Sequence, residues 1–87
     1  MEVSYAPSFL RSLRSLTPLL CEEIVAKIDL FKDERNHTAL RVHKLKGRLK
    51  DCYAFFVNYQ FRVVFQFVGR PKRAYLLAVG DHDVYDR

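Results

Sequence analysis

Few side chains in this sequence readily give or take a proton near neutral pH: the histidines His37, His43 and His82. Beside them stands one arginine, Arg62, set in the alternating run Phe61-Arg62-Val63-Val64-Phe65. Imidazole ordinarily titrates near pH ~6.5, so it gives or takes a proton under mild conditions. A guanidinium is permanently charged, and its fork of donors fits two phosphate oxygens at once. RNA cleavage without a metal needs only such groups. The 2′-hydroxyl attacks the adjacent phosphate, which takes a base for the hydroxyl proton, a cation for the growing phosphorane charge and an acid for the departing 5′-oxygen. Histidine, arginine and histidine are of the right types, and dependence on the 2′-hydroxyl leaves DNA bound but uncut.

Each of these residues also has a plainer reading. A lone histidine on a strand is more often structural or solvated than catalytic. Arg62 can snorkel to a sheet edge or pair with an acid such as Asp81. His37, in a polar stretch, reads as solvent-exposed and idle. Asp81 and Asp83 flank His82 and can orient its ring, but one histidine without HxH or HxxxH spacing argues against a metal site. Cys21 and Cys52 stand apart, so reduced, packed thiols are expected rather than a disulfide or a zinc site. Tyr53, Phe55 and Tyr59 read as sheet packing rather than as a platform for bases.

Charge locates the anion-binding potential. Residues 1–40 carry five basic and six acidic side chains. Residues 41–73 carry nine basic ones (Arg41, Lys44, Lys46, Arg48, Lys50, Arg62, Arg70, Lys72 and Arg73) against Asp51 alone. The remainder is net −2, so the overall +5 belongs to one segment. RNA, DNA or an acidic protein is the natural reader of such a patch, against the alternative of a solvated basic surface. Lys44 and Lys46 alternate with His43 and Leu45; they either grip flanking phosphates or guard a sheet edge from pairing.

The 87 residues leave room for one small core and exclude a two-domain enzyme. A composition of 49% apolar and 14% aromatic residues is too rich for a disordered chain. The longest apolar runs, at 54–57 and 63–65, fall far short of the ~20 residues of a membrane span, and the start lacks a signal-peptide pattern. A cytoplasmic protein without membrane contact is expected.

The elements that must position these groups follow from periodicity. Residues 2–5 alternate and end at Ala6-Pro7, which suits a brief strand. Phe9, Leu10, Leu13 and Leu16 then recur at helical spacing behind Pro7. Thr17 reads as the N-cap of a second helix with Pro18 at its first position. Leu20, Ile24, Ile28 and Phe31, with Cys21 and Val25 beside them, form its apolar stripe. Residues 33–38 read as a loop. Strands are expected at 41–45, 52–57, 61–68 and 73–79, with turns at 47–51, 58–60 and 69–72. Within 61–68, Phe61, Val63, Phe65 and Phe67 face the helices, and Arg62, Val64, Gln66 and Val68 face away. The expected fold is α+β: a short N-terminal strand and two antiparallel helices on one face of a three- to four-stranded antiparallel sheet.

That order, together with His43-Lys44-Leu45-Lys46-Gly47, Tyr59-Gln60-Phe61-Arg62-Val63-Val64-Phe65 and Val79-Gly80-Asp81-His82-Asp83-Val84-Tyr85, resembles the RelE/ParE superfamily of bacterial toxins. The resemblance is strongest to its RelE, YoeB and YafQ branch and covers nearly the whole chain as one RelE-like domain. It implies the toxin of a type II toxin-antitoxin pair, a ribosome-dependent mRNA endonuclease acting by metal-independent attack of the 2′-hydroxyl and needing no cofactor. By position, the resemblance makes His43 the general base, Arg62 the arginine on the scissile phosphate and His82 the general acid. Tyr85 falls near a terminal aromatic that stacks on a base or assists proton transfer. Lys44, Lys46, Arg48, Lys50 and Arg73 would contact RNA.

The implied partners are a cognate antitoxin, mRNA and the ribosome's rRNA, with operator DNA reached only through the antitoxin. A ParE-like toxin that inhibits DNA gyrase without nuclease activity is the alternative, and an inactive relative serving as an antitoxin-bound operator partner is a third reading. His43 and His82 together with Arg62 favour the nuclease, since a gyrase binder has no use for an acid and a base beside a phosphate-binding arginine.

Overall fold

Two prolines set the helical layer in the computed structural model, which describes residues 1–81. Helix α1 (Pro7–Arg14) and helix α2 (Pro18–Phe31) both begin on a proline, whose missing amide hydrogen costs nothing in a first turn. Thr17 caps α2 as expected, its Oγ1 accepting a long hydrogen bond of 3.4 Å from the Leu20 amide. The Cys21 thiol donates to the Leu13 carbonyl at 3.2 Å and ties the start of α2 to the end of α1. Cys21 and Cys52 are both free thiols. No helix among the described residues is long and apolar enough to cross a membrane.

Five strands form one mixed sheet: β1 (Val3–Tyr5), β2 (His43–Lys44), β3 (Tyr53–Phe56), β4 (Arg62–Val68) and β5 (Arg73–Gly80), in the order β1-β5-β4-β3-β2. The four later strands are antiparallel neighbours, as expected. The N-terminal strand joins the same sheet, parallel to β5, with Val3 opposite Ala74 and Tyr5 opposite Leu76. A parallel partner needs a long crossover, and the helix pair is part of the chain that supplies it. β1 stops at Tyr5 while β5 runs on to Gly80. Beyond that point α1 lies against β5, and Ser8 Oγ donates to the Leu77 carbonyl at 2.7 Å, satisfying an acceptor that a short edge strand would leave open.

The two sheet faces divide as the alternation in β4 requires. Phe9, Ile24, Ile28 and Phe31 from the helices pack with Phe55, Val57, Val63, Phe65, Ala74, Leu76 and Val79 in the main core. Phe61 and Phe67 join that side. Val64 lies on the opposite face with Cys52, Leu45, Leu49, Leu77 and Ala78. An irregularity where Phe65 pairs with Leu76 but Val64 with Ala78 leaves Leu77 as an extra residue, which is why Leu77 and its neighbour both reach that second cluster. Val25, expected beside the apolar stripe of α2, is instead exposed.

Further sequence expectations need correction. His37 is neither solvent-exposed nor idle. Its ring stacks on Phe31 at 4.6 Å between centroids, and its Nε2 lies 2.8 Å from the Phe31 carbonyl at the end of α2. The loop holding it is ordered by a 3₁₀ turn at Glu34–Asn36, with Asp33 as its cap. Tyr59 is not buried in the sheet: it is 91% exposed and meets it only edge-on, at Phe56. Tyr53 and Phe55, by contrast, do pack in the core.

The strand expected at 41–45 is also shorter. Arg41 takes a left-handed backbone conformation (φ 56°), which turns the chain out of the β region before His43. Gly47 (φ 72°) turns it again after Lys46, into a 3₁₀ turn at Gly47–Leu49.

Candidate functional site

Arg62 is the first residue of β4 and lies directly opposite Phe56 on β3 and Gly80 on β5. Direct cross-strand partners share a face, so Arg62, Phe56 and Gly80 make one row on the side away from the helices. The guanidinium carbon sits 4.8 Å from the Phe56 ring centroid, within cation–π range. Its Nη1 donates to the carbonyl oxygens of Asn58 and Phe61, the latter at 2.9 Å. One corner of the fork is thereby fixed, and among the described residues Nε and Nη2 take no hydrogen bond. These contacts anchor Arg62 on the hairpin and on an aromatic ring.

The hairpin is itself fixed by Asn58. Asn58 Oδ1 accepts from the amides of Gln60 (2.8 Å) and Phe61 (2.9 Å), and its Nδ2 donates to Glu23 Oε1 on α2 at 2.6 Å. A short polar side chain closing its own turn is the usual reason for asparagine between strands.

His43 shares the face of Arg62. It pairs with Ala54, which pairs with Val64, two residues along β4 from Arg62. Two strand spacings and two residues along the strand put the Cα atoms of His43 and Arg62 about 12 Å apart, a gap that two long side chains and a bridging phosphodiester can span. His43 is exposed, and its Nδ1 lies 2.8 Å from the Arg41 carbonyl. A carbonyl only accepts, so Nδ1 carries the hydrogen in this contact. In the neutral ring Nε2 then holds the lone pair, the form a general base requires. The left-handed conformation of Arg41 belongs to the same turn, and the Arg41 guanidinium carbon lies 5.4 Å from the Phe56 centroid. Sequence reading counted Arg41 only as charge; a positive φ at an arginine leaves no signature in the sequence.

The remaining expected site residues fall into three groups. Lys46, Arg48 and Lys50 surround the 3₁₀ turn whose Leu49 packs on the cluster behind His43, so this part of the basic segment borders the same face. Lys44 lies opposite the core residue Tyr53, on the other face from His43. Arg73 pairs with Val68 at the far end of β4, six residues and about 20 Å along the strand from Arg62. His82 and Tyr85, like Asp83, lie outside the described residues. The last rung of the ladder before them is Gly80 opposite Arg62.

Among the described residues no three histidine, cysteine, aspartate or glutamate side chains come together as a metal site would require. A groove of about 400 Å³ opens on the His43 and Arg62 side of the sheet, floored by Cys52, Val64, Leu77 and Ala78 and walled by Ser8, Arg11 and Ser12 of α1. A shallow hollow lined by Met1, Asp29, Lys32, Asp33, Glu34 and Arg35 contains none of the expected site residues. There the Arg35 side chain donates to Asp33 (Nη2 to Oδ2, 2.7 Å) and, with the Arg35 amide, holds that carboxyl down at about 2.

No family model matches the sequence, and no curated protein matches it. Solved structures do match the fold. A RelE from Pyrococcus horikoshii, solved in complex with RelB, superposes with a TM-score of 0.70 at 19% identity, over 92% of each chain. YoeB of Staphylococcus aureus, solved with YefM, gives 0.70 at 13% identity over 94% of this chain and 97% of that one. YafQ of Escherichia coli, solved with DinJ, gives 0.70 at 11% identity over 95% and 94%. With its strand order and its helix pair, this chain has the fold of the RelE, YoeB and YafQ toxins.

Proposed function

We propose that the chain is the toxin of a type II toxin-antitoxin pair and cleaves mRNA by itself supplying a base, a cation and an acid to a strand presented by the ribosome. The observation that carries this is Arg62 with one corner of its guanidinium fixed, on the same open face as a histidine whose Nδ1 is already satisfied. His43 Nε2 takes the 2′-hydroxyl proton as the O2′–P bond forms. Arg62 stabilises the phosphorane charge. The P–O5′ bond breaks as His82 gives its proton to the 5′-oxygen, leaving a 2′,3′-cyclic phosphate and a 5′-hydroxyl. Neither a metal nor another cofactor is needed for that balance.

Lys46, Arg48 and Lys50 hold neighbouring phosphates, Lys44 and Arg73 reach more distant ones, and Tyr85 stacks on a base or assists the acid. So small a chain need not build an enclosing pocket if the ribosome takes over that part by holding the codon in line. A cognate antitoxin would cover the basic face in the bacterial cytoplasm, as RelB, YefM and DinJ are found in complex with RelE, YoeB and YafQ. Operator DNA would be met through the antitoxin.

Primer extension on mRNA from a translating extract tests the proposal. New 5′ ends should appear with the intact protein, persist with a chelator, and vanish with Arg62→Ala or His82→Ala. Absence of cuts together with loss of gyrase-dependent supercoiling would replace this reading by the ParE-like one.

A further inference from the structure

Tyr59 stands in water where an aromatic ring usually hides. It is 91% exposed in the turn between β3 and β4. Its ring meets Phe56 edge-on, with centroids 6.0 Å apart and planes at 89°. The same Phe56 ring carries the guanidinium groups of Arg62 and Arg41 at 4.8 and 5.4 Å. An exposed ring, a second ring that meets its edge and two cations over that second ring therefore form one cluster on the face of Arg62.

The mount is rigid. Asn58 closes the turn on the amides of Gln60 and Phe61 and reaches across to Glu23, while Arg62 Nη1 holds two of the turn's carbonyls. A backbone already held in place leaves only the side-chain torsions of Tyr59 to be ordered when a ligand settles on its ring. The chemistry of the cluster selects that ligand. Two guanidinium groups call for an anion, and an exposed ring calls for a flat π surface joined to it. A nucleotide of single-stranded RNA has both. Inorganic phosphate offers only the charge, and an acidic peptide segment offers no flat face at fixed distance from each charge.

We propose that Tyr59 stacks on the base of a nucleotide adjoining the phosphate at Arg62, with Arg41 facing the next phosphate. The choice of nucleotide rests on the nuclease reading above; the stacking itself does not depend on catalysis.

The chain has no tryptophan, so Tyr59→Trp installs a single fluorophore at the site. This variant is titrated at low salt with a single-stranded RNA hexamer carrying 2′-O-methyl groups, which cannot be cut, and with a hexamer of abasic ribose phosphates. Quenching is expected with the first and not with the second. In parallel, Tyr59→Ala should bind the methylated hexamer roughly 5- to 100-fold more weakly, whereas Tyr59→Phe should bind like the parent. Both substitutions should leave the unfolding midpoint unchanged, because the ring is solvated.

Equal quenching by the abasic strand, or unweakened binding by Tyr59→Ala, overturns the proposal. Quenching by an acidic amphipathic peptide but not by RNA also overturns it and gives the ring to a protein partner. The two readings fail separately: base-dependent quenching without any mRNA cleavage loses only the nuclease, and cleavage undiminished in Tyr59→Ala loses only the stacking residue.

Discussion

The two faces of one sheet carry opposite kinds of residue in this molecule. On the helix side, Phe31 stacks on Phe55 at 4.5 Å and meets Phe65 edge-on at 4.8 Å, and the surrounding side chains are almost wholly buried. The other side has a small apolar patch around Cys52 and Val64, bordered by His43, Arg62 and Arg41. Stability is concentrated in the first face. The second face carries the cations and the exposed imidazole of His43, whose Nε2 has no partner among the described residues. An antiparallel sheet allows this division because successive side chains alternate sides, so Phe65 can serve the core while Arg62, three residues earlier, serves the face beyond it.

If this division holds, substitutions on the two faces should be separable. The largest effect is expected from Phe31→Ala, which removes a ring touching Phe55, Phe65 and His37. By the usual cost of an emptied aromatic site it should lose about 3–5 kcal/mol, enough to unfold most of the chain in a urea titration. Its activity should fall only in proportion to the folded fraction.

Arg62→Ala should do the reverse. Cleavage should drop by roughly 10²- to 10³-fold, the usual cost of one electrostatic contact to a transition state. Stability should fall by only about 1 kcal/mol for the hairpin hydrogen bonds it gives up. A Tm loss as large as that of Phe31→Ala would show that Arg62 is chiefly a structural residue and would end the division.

Gly47→Ala probes the backbone that links the faces. An added methyl would meet no atom of the described residues within 4 Å, so its cost comes from φ 72°, about 1–2 kcal/mol. If the turn relaxes instead, the basic residues 46–50 should move and RNA affinity should fall with little loss of stability.

The smallest effect belongs to Asp33, far from either argument about catalysis. Its folded-state carboxyl, held down at about 2 by Arg35, favours folding at pH values above the ordinary carboxylate range, and that contribution disappears as pH falls from about 4 toward 2. Compared with Asp33→Asn, the parent should lose its advantage in thermal unfolding across that window. The pair is solvent-exposed, so added salt should shrink the difference.

Much of the fold was legible because local signals agreed. Pro7, Thr17 and Pro18 mark helix starts, and the alternation from Phe61 to Val68 names both faces of β4. The parallel seat of β1 was not legible, because nothing in its three residues says which strand it will join. His37 was misread since its partner, the Phe31 ring, is recruited by folding back of the loop. Tyr59 was misread for the opposite reason: aromatic type predicts burial, but the Asn58 turn holds it outside.

The sequence by itself determined the segregation of charge, the helix starts, the strand periods and the residue types suited to phosphate chemistry, since all of these are properties of composition and spacing. Only the tertiary structure decided which of those residues meet. Arg62 and His43 share a face through the register of three strands, Lys44 and Arg73 are carried away from them, and Arg41 joins them through a backbone conformation. Register and turn geometry depend on the partners that a strand finds, and those partners exist only after the chain has folded.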